Sequence, residues 1–344
     1  MSGGLIAGVE AGGTKFVCGV GPSPTEILRT CRVATTDPES TLDQVTDFLK
    51  TAQVELGPIS SIGVASFGPL DLDPTSPTWG CITTTPKAGW SGFDLRGALV
   101  HALDRPVAID TDVAGAGLSE WTLGAGQGLG SLAYVTVGTG IGGALIVNGR
   151  PLHGLGHSEM GHIPVRRHPD DAAFAGSCPY HGCCLEGLAS GPSVIARYGV
   201  PLSDLPASAP IWSMLADYLA QLCLSITLIS APERIVLGGG VLSNPALLPM
   251  TRRAFLIQNN GYVAHLADAG AVEAFLAPPG LADRAGLIGA MLLADEAFRI
   301  RPRPWLGSTH GETEGSGHPV GVARHRMPLD AVGSGRQGRF QDPD

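Results

Sequence analysis

The chain has 344 residues, enough for one large domain or two lobes around a sizeable core. With 44% hydrophobic and 15% charged residues it is not a disordered chain, and a net charge of −9 argues against a nucleic-acid-binding surface. Nucleotide binding stays open, because backbone N–H groups and a divalent cation can handle phosphates in an acidic protein.

The first segment, Leu5 to Glu10, has strand character and runs into Ala11-Gly12-Gly13-Thr14-Lys15, after which Phe16 to Val20 reads as a second strand. This is a hairpin around a loop of phosphate size. Thr41 to Leu56 carries helical spacing at Leu42, Val45, Phe48, Leu49 and Ala52. Ser61 to Phe67 reads as a buried strand ending at Gly68-Pro69, and Val107 to Asp112 as another, followed by a helix from about Val113 to Leu123. The opening then repeats: Leu132 to Val137 leads into Gly138-Thr139-Gly140-Ile141-Gly142-Gly143, and Ala144 to Val147 follows before an Asn148-Gly149 turn. Two strand, glycine loop, strand units suggest two similar lobes. A helix spans about Met214 to Ser230, a strand at Arg234 to Leu237 ends in Gly238-Gly239-Gly240, and Ala285 to Phe298 forms a last helix.

Residues 301–344 hold eight Gly, five Pro and few large apolar residues, with six Arg against five acids, so this tail reads as mostly disordered. No secretory signal is apparent, and the longest apolar stretch, Leu219 to Pro232, is broken by Gln221, Ser225, Thr227 and Ser230 and is short for a membrane span. The expectation is a cytoplasmic protein without a membrane or nucleic-acid partner. Seven Cys, three of them crowded into Cys178 to Cys184, fit metal binding in a reducing compartment better than a disulfide framework.

Gly138 to Gly143 matches G-x-G-x-x-G, yet a dinucleotide fingerprint needs a helix opening at its third glycine, and here a strand follows. Glu159 stands near the distance expected of a ribose-binding acid, which keeps that reading as a minor alternative. Two loops of one form together with Gly238 to Gly240 point instead to phosphate cradles, with Thr14 and Thr139 adding hydroxyls. Asp110 and Asp112 end a strand before a helix, where i, i+2 spacing places them on one face and a carboxylate can act as base toward a hydroxyl. Asp110 is the more structural of the two. Cys178, His181 and either Cys183 or Cys184, with His162 as a fourth ligand, fit a closed tetrahedral zinc site. His153, His157 and His168 read as ordinary loop histidines. The loops Ser66 to Leu72 and Thr83 to Trp90, which include Thr85 and Lys87, offer hydroxyl, ammonium and aromatic groups that suit a polyhydroxylated ligand.

Together these residues resemble the ROK family within the actin, Hsp70 and sugar-kinase superfamily, and its bacterial fructokinase branch in particular. The resemblance rests on Glu10 to Lys15, Thr84 to Trp90, Asp110 to Asp112, Gly138 to Gly143, Glu159-Met160-Gly161-His162 and Cys178 to Gly187, in family order over about residues 5–300. It implies an α/β, two-lobed, ribonuclease H-like fold with a small zinc segment. The N-terminal lobe would cover residues 1–115 and the C-terminal lobe 116–284, with the helix at about 285–300 packing back on the first lobe and the zinc segment at 162–184. It implies ATP-dependent phosphorylation of a hexose, D-fructose to D-fructose 6-phosphate, with Mg²⁺ and Asp112 as general base. Glucose, mannose or an N-acetylhexosamine is the alternative substrate, and a sugar-responsive regulator the alternative function, which the lack of room for a helix-turn-helix before the first loop disfavours.

Residue by residue, Gly12, Gly13, Thr14 and Lys15 match the first phosphate loop and Thr139 the second. Gly238, Gly239, Gly240, Val241 and Leu242 match the adenosine loop, and Pro192 falls on the nucleotide side. Glu159, His162 and Glu186 match sugar-hydroxyl ligands. His162, Cys178, His181 and Cys184 match the zinc ligands, the metal being structural. Thr111 and Ala114 stand where many members carry Asn, which weakens a glucose assignment. Homodimers are common in the family, so a homodimer is expected.

Overall fold

The computed structural model describes residues 4–206 and 208–295. Strands β1 (Leu5–Ala11), β2 (Lys15–Gly21) and β3 (Arg29–Ala34) form an antiparallel meander. Helix α1 (Pro38–Leu56) follows, started by the Asp37 carboxylate accepting from Ser40 N at 2.9 Å with Pro38 in its first turn. Then come β4 (Ile59–Ser66), α2 (Leu95–Leu103), β5 (Val107–Thr111) and α3 (Asp112–Leu123). β4 joins β1 in parallel and β5 joins β4, giving the sheet order β3-β2-β1-β4-β5. β1 is buried along most of its length, as its near-continuous apolar run requires of a strand covered on both faces.

The second half repeats this plan. β6 (Ser131–Val137), β7 (Ile141–Val147) and β8 (Arg150–Pro151) form the meander. α4 (Leu185–Ala189), α5 (Gly191–Tyr198) and α6 (Ile211–Ser230) intervene before β9 (Ile235–Gly238) pairs in parallel with β6. After α7 (Leu247–Asn259) and α8 (Ala269–Phe275), β10 (Leu276–Ala277) pairs with β9. The order β8-β7-β6-β9-β10 is the first sheet's order over again. The glycine-loop repeat legible in the sequence is therefore a repeat of the whole sheet topology, and β7 pairing antiparallel with β6 directly after the loop removes the dinucleotide reading.

Each sheet has its own core. Val9, Phe16, Leu49, Leu99 and Trp90 lie in the first; Val135, Leu188, Leu219, Phe255 and Phe275 lie in the second. Helix α6 is long and apolar enough to cross a membrane by length and composition. Its apolar run starts at Ile211, ahead of the stretch singled out from the sequence, and Leu215, Tyr218, Leu219, Leu222 and Cys223 pack into the second core.

Helix α3 stands between the two sheets. A Cβ on Gly115 would meet the Ala65 methyl of β4 at 2.7 Å, and one on Gly117 would meet Tyr134 and Ile146 of the second sheet at 3.1 Å. The last described helix, α9 (Ala285–Ala294), lies against α3 so closely that a Cβ on Gly289 would sit 2.1 Å from the Gly115 carbonyl oxygen. It also covers the first sheet, because a Cβ on Gly8 of β1 would strike Met291. Small residues at these crossings let backbones touch, which fixes the N-terminus of α3 relative to both sheets. The sequence places the end of this helix at Phe298; it closes at Ala294, and residues 296–298 lie outside the described residues, as does the tail.

Candidate active site

The first glycine loop closes between β1 and β2. Gly12 N donates to Lys15 O at 3.0 Å, and Thr35 anchors the loop from β3's end, its N–H reaching Thr14 O and its hydroxyl Gly12 O. Gly13, Thr14 and Lys15 are exposed. The Thr83–Trp90 loop stands over them. Trp90 is fully buried, packs against Phe16, Phe67 and Phe93, and donates its indole N–H to Thr36 O at 2.7 Å. Three residues earlier, Lys87 Cε lies 3.8 Å from where a Gly13 Cβ would be. Lys87 is half-buried, and its ammonium has no ion-pair partner among the described residues. Thr85 makes its hydrogen bonds within its own loop, to Ser91 and the Lys87 N–H.

The second glycine loop gathers the nucleotide-side candidates. Gly191 N donates to Gly138 O at 2.8 Å, which brings Pro192 and the start of α5 to the loop. Gly238 pairs with Thr136, and Gly239, at φ +96°, packs so tightly on β6 that a Cβ would lie 2.4 Å from Val137 O. Gly240 to Leu242 continue as a short 3₁₀ turn. Thr139, Pro192 and the Gly238–Leu242 segment thus converge on the C-terminal end of β6. Glu186, on α4, reaches the same loop from the other side and accepts from Ile141 N at 2.9 Å.

Between the two loops sits Asp112, the first residue of α3. Thr111 is the N-cap, its hydroxyl accepting from Ala114 N at 3.1 Å. The strand alternation stops at Thr111, so the same-face argument from i, i+2 spacing does not extend to Asp112. Asp112 Oδ1 accepts from Val113 N at 2.8 Å. Burial pushes its carboxyl up to about 7, with the negative fields of Glu10 and Glu159 acting in the same direction. A carboxylate so tuned accepts a proton from a hydroxyl near neutral pH. Asp110, 1% exposed, is committed elsewhere: its Oδ2 holds His153 Nε2 at 2.8 Å and its Oδ1 accepts from Thr111 N.

Glu159, His162 and Glu186 form one cluster. His162 Nε2 is 3.9 Å from Glu186 Oε1. Burial raises the Glu159 carboxyl, partly offset by His157 and His162 beside it. His162's other nitrogen belongs to a second group. His162, Cys178, His181 and Cys184 place one donor atom each within 4.8 Å of one another. His162 Nδ1 lies 3.7 Å from Cys178 Sγ and 3.6 Å from Cys184 Sγ, and His181 Nδ1 lies 3.8 Å from Cys178 Sγ. Donors about 3.5 Å apart are what tetrahedral zinc with bonds of about 2.0–2.3 Å demands, and two thiols with two imidazoles are zinc chemistry. Cys183 is exposed and stands outside the set. Of the two thiols the sequence leaves open, Cys184 is the one that lies in the set.

Two of the loop histidines do more than the sequence indicated. His153 pairs with Asp110, and His157 accepts from Leu70 N at 3.0 Å. Their partners lie 43 and 87 residues away, so no local pattern marks them. His168 remains local, capping the Pro169–Asp171 turn through Nδ1.

A family model described as the ROK family matches residues 6–297. The chain is 44% identical over 290 residues to a fructokinase of Zymomonas mobilis, covering 83% of this chain and 95% of that protein. It is 38% identical over 295 residues to a fructokinase of Pediococcus pentosaceus, covering 86% and 99%. Among solved structures, the ROK hexokinase of Thermus thermophilus superposes with a TM-score of 0.67 at 28% identity, over 84% of this chain and 97% of that one. The doubled sheet, the paired glycine loops and these likenesses agree, and the chain belongs to the ROK family.

Proposed function

We propose that this protein is an ATP-dependent hexose kinase that converts D-fructose to D-fructose 6-phosphate. One observation carries the reading above the others: a half-buried carboxyl, Asp112, is tuned to about 7 at the N-terminus of the helix wedged between two glycine-loop sheets. Fructokinases of the identity and coverage given above support the substrate. Thr111 weighs against glucose. It is 4% exposed and its hydroxyl oxygen caps α3, so this position has no amide to offer a sugar. The glucose reading relies on an Asn there.

In this reading Asp112 takes the proton from the sugar hydroxyl as its oxygen forms a bond to the γ-phosphorus of ATP and the bond to the β,γ-bridging oxygen breaks. Glu159, Glu186 and His162 Nε2 orient the sugar hydroxyls. Gly13, Thr14 and Lys15 offer backbone and side-chain donors to phosphate, Gly12 closes the loop through its bond to Lys15 O, and Lys87 stands above them. Thr139, Pro192 and Gly238 to Leu242 hold the nucleotide side. Mg²⁺, when bound, neutralises phosphate charge during transfer. His162, Cys178, His181 and Cys184 would hold a structural zinc, which fixes His162 through Nδ1 and leaves Nε2 for the substrate side. The two sheets correspond to lobes divided near residue 115, and a cytoplasmic homodimer completes the reading by resemblance.

The product tests it. Phosphorus and carbon NMR of the fructose product should place the phosphate on C6. Phosphate on another carbon, or ATP hydrolysis without sugar phosphate, would refute the assignment.

A further inference from the structure

The segment Leu152 to Ser158, between β8 and the Met160–His162 turn, is fastened at three points. On the second-sheet side Ser158 Oγ donates to Gly143 O at 2.6 Å. On the first-sheet side His153 Nε2 meets Asp110 Oδ2 at 2.8 Å, two residues before Asp112. The third point is His157, whose side chain is only 10% exposed. Its Nε2 accepts from the backbone N–H of Leu70 at 3.0 Å. A backbone N–H can only donate, so Nε2 carries the lone pair and the proton of the neutral ring sits on Nδ1. Nδ1 lies 3.5 Å from Glu159 Oε1.

Leu70 belongs to the segment that carries the substrate-side loop. It bridges to Ile82, and Pro69 O accepts from both Thr83 N, at 2.8 Å, and Thr83 Oγ1. From Thr83 the chain runs directly to Thr85 and Lys87. One imidazole therefore joins the base of the Thr83–Trp90 loop, on the first sheet's side, to a sugar-ligand candidate on the second.

We propose that His157 is a positioning residue: its ring, locked in one tautomer by Leu70, holds Oε1 of Glu159 and leaves Oε2 for a sugar hydroxyl. The inference rests on the kinase reading for the sugar and on geometry alone for the tautomer. A carboxylate that must meet one hydroxyl gains affinity when its rotamer is set before the sugar arrives.

Three substitutions separate the two contacts. In His157→Asn the amide nitrogen falls near the Nδ1 position and keeps the donor to Glu159. In His157→Gln the amide oxygen falls near the Nε2 position and keeps the acceptor for Leu70. His157→Ala keeps neither. With fructose and ATP, the Ala and Gln variants should raise the KM for fructose about tenfold or more, with kcat and the KM for ATP within about threefold of wild type. The Asn variant should stay within about threefold throughout. In a Glu159→Gln background, His157→Ala should add less than about twofold. An unchanged fructose KM in His157→Ala, or rescue by Gln and not by Asn, would overturn the proposal; the latter would leave His157 a loop strut.

Amide hydrogen exchange at Leu70 gives a readout free of activity. It should quicken about tenfold in the Ala and Asn variants and stay near wild type in Gln. Unchanged Leu70 exchange in His157→Ala would sink the tautomer argument. If the wild type turned over no hexose, the kinase reading would fail by itself. Leu70 exchange together with calorimetric binding of fructose to the same variants would then decide His157, equal affinities counting against it.

Discussion

Replacing Asp112 by Asn should abolish catalysis and stabilise the fold in the same stroke. The side chain keeps its shape and its oxygen for the Val113 N–H, so the backbone of α3 has no reason to move. Loss of a general base removes about 10²–10⁴-fold in turnover, or about 3–5 kcal/mol of transition-state stabilisation. The stability change follows from linkage. Burial lifts the Asp112 carboxyl from 3.8 to about 7, so above pH 7 the folded protein carries a charge that the unfolded chain holds more cheaply. A shift of that size corresponds to about 4 kcal/mol, or about 2 once solvent screening of a half-buried carboxyl is allowed for. The sign is fixed: the folded state binds the extra proton, so wild-type stability falls as pH rises from about 4 through 7, and Asn removes that fall. Urea unfolding at pH 8 should show the variant more stable by about 2–4 kcal/mol, the gain shrinking by more than half at pH 5 and nearly vanishing at pH 4. Wild-type kcat/KM should drop about tenfold per pH unit below about 7. A variant no more stable than wild type at pH 8, or one that keeps its turnover, would refute the reasoning about Asp112.

Cys184→Ser should reduce bound zinc from about one per chain to near none and lower the melting temperature, while Cys183→Ser leaves both unchanged; metal analysis and thermal melts check this. Lys87→Met should cut kcat about 10²-fold with a smaller change in the KM for fructose, since a half-buried ammonium beside Gly13, without an ion-pair partner among the described residues, is placed for phosphate; steady-state kinetics decide it. Gly239→Ala should cost about 2–4 kcal/mol in urea unfolding, because φ is +96° and the methyl would strike the Val137 backbone. A loss below about 0.5 kcal/mol would mean that β6 and the Gly239 turn can separate freely.

The sequence is most legible where chemistry and local pattern coincide. Gly12 to Lys15 and Gly138 to Gly143 each sit between runs of strand formers, and both hairpins appear where the pattern puts them. The His162, Cys178, His181, Cys184 set is nearly local, so its spacing was readable and only the choice between neighbouring thiols needed coordinates. β3 escaped because Arg29-Thr30-Cys31-Arg32-Val33-Ala34 is an edge strand with few buried positions. α2 escaped because its nine residues follow a loop and depend on the Asp94 cap, which accepts from Gly97 N at 2.7 Å. His153 and His157 escaped for a different reason. A histidine's role lies in the partner of each nitrogen, and Asp110 and Leu70 reach them only through the tertiary fold.

Hexose phosphorylation with fructose as the preferred acceptor is tested most directly by ADP release from zinc-replete protein with ATP and Mg²⁺ against fructose, glucose, mannose, N-acetylglucosamine and N-acetylmannosamine. Turnover should be strong on fructose and low on the aldoses. Preferred turnover on another sugar would contradict the substrate, and no turnover on any of them from folded protein would contradict the kinase itself.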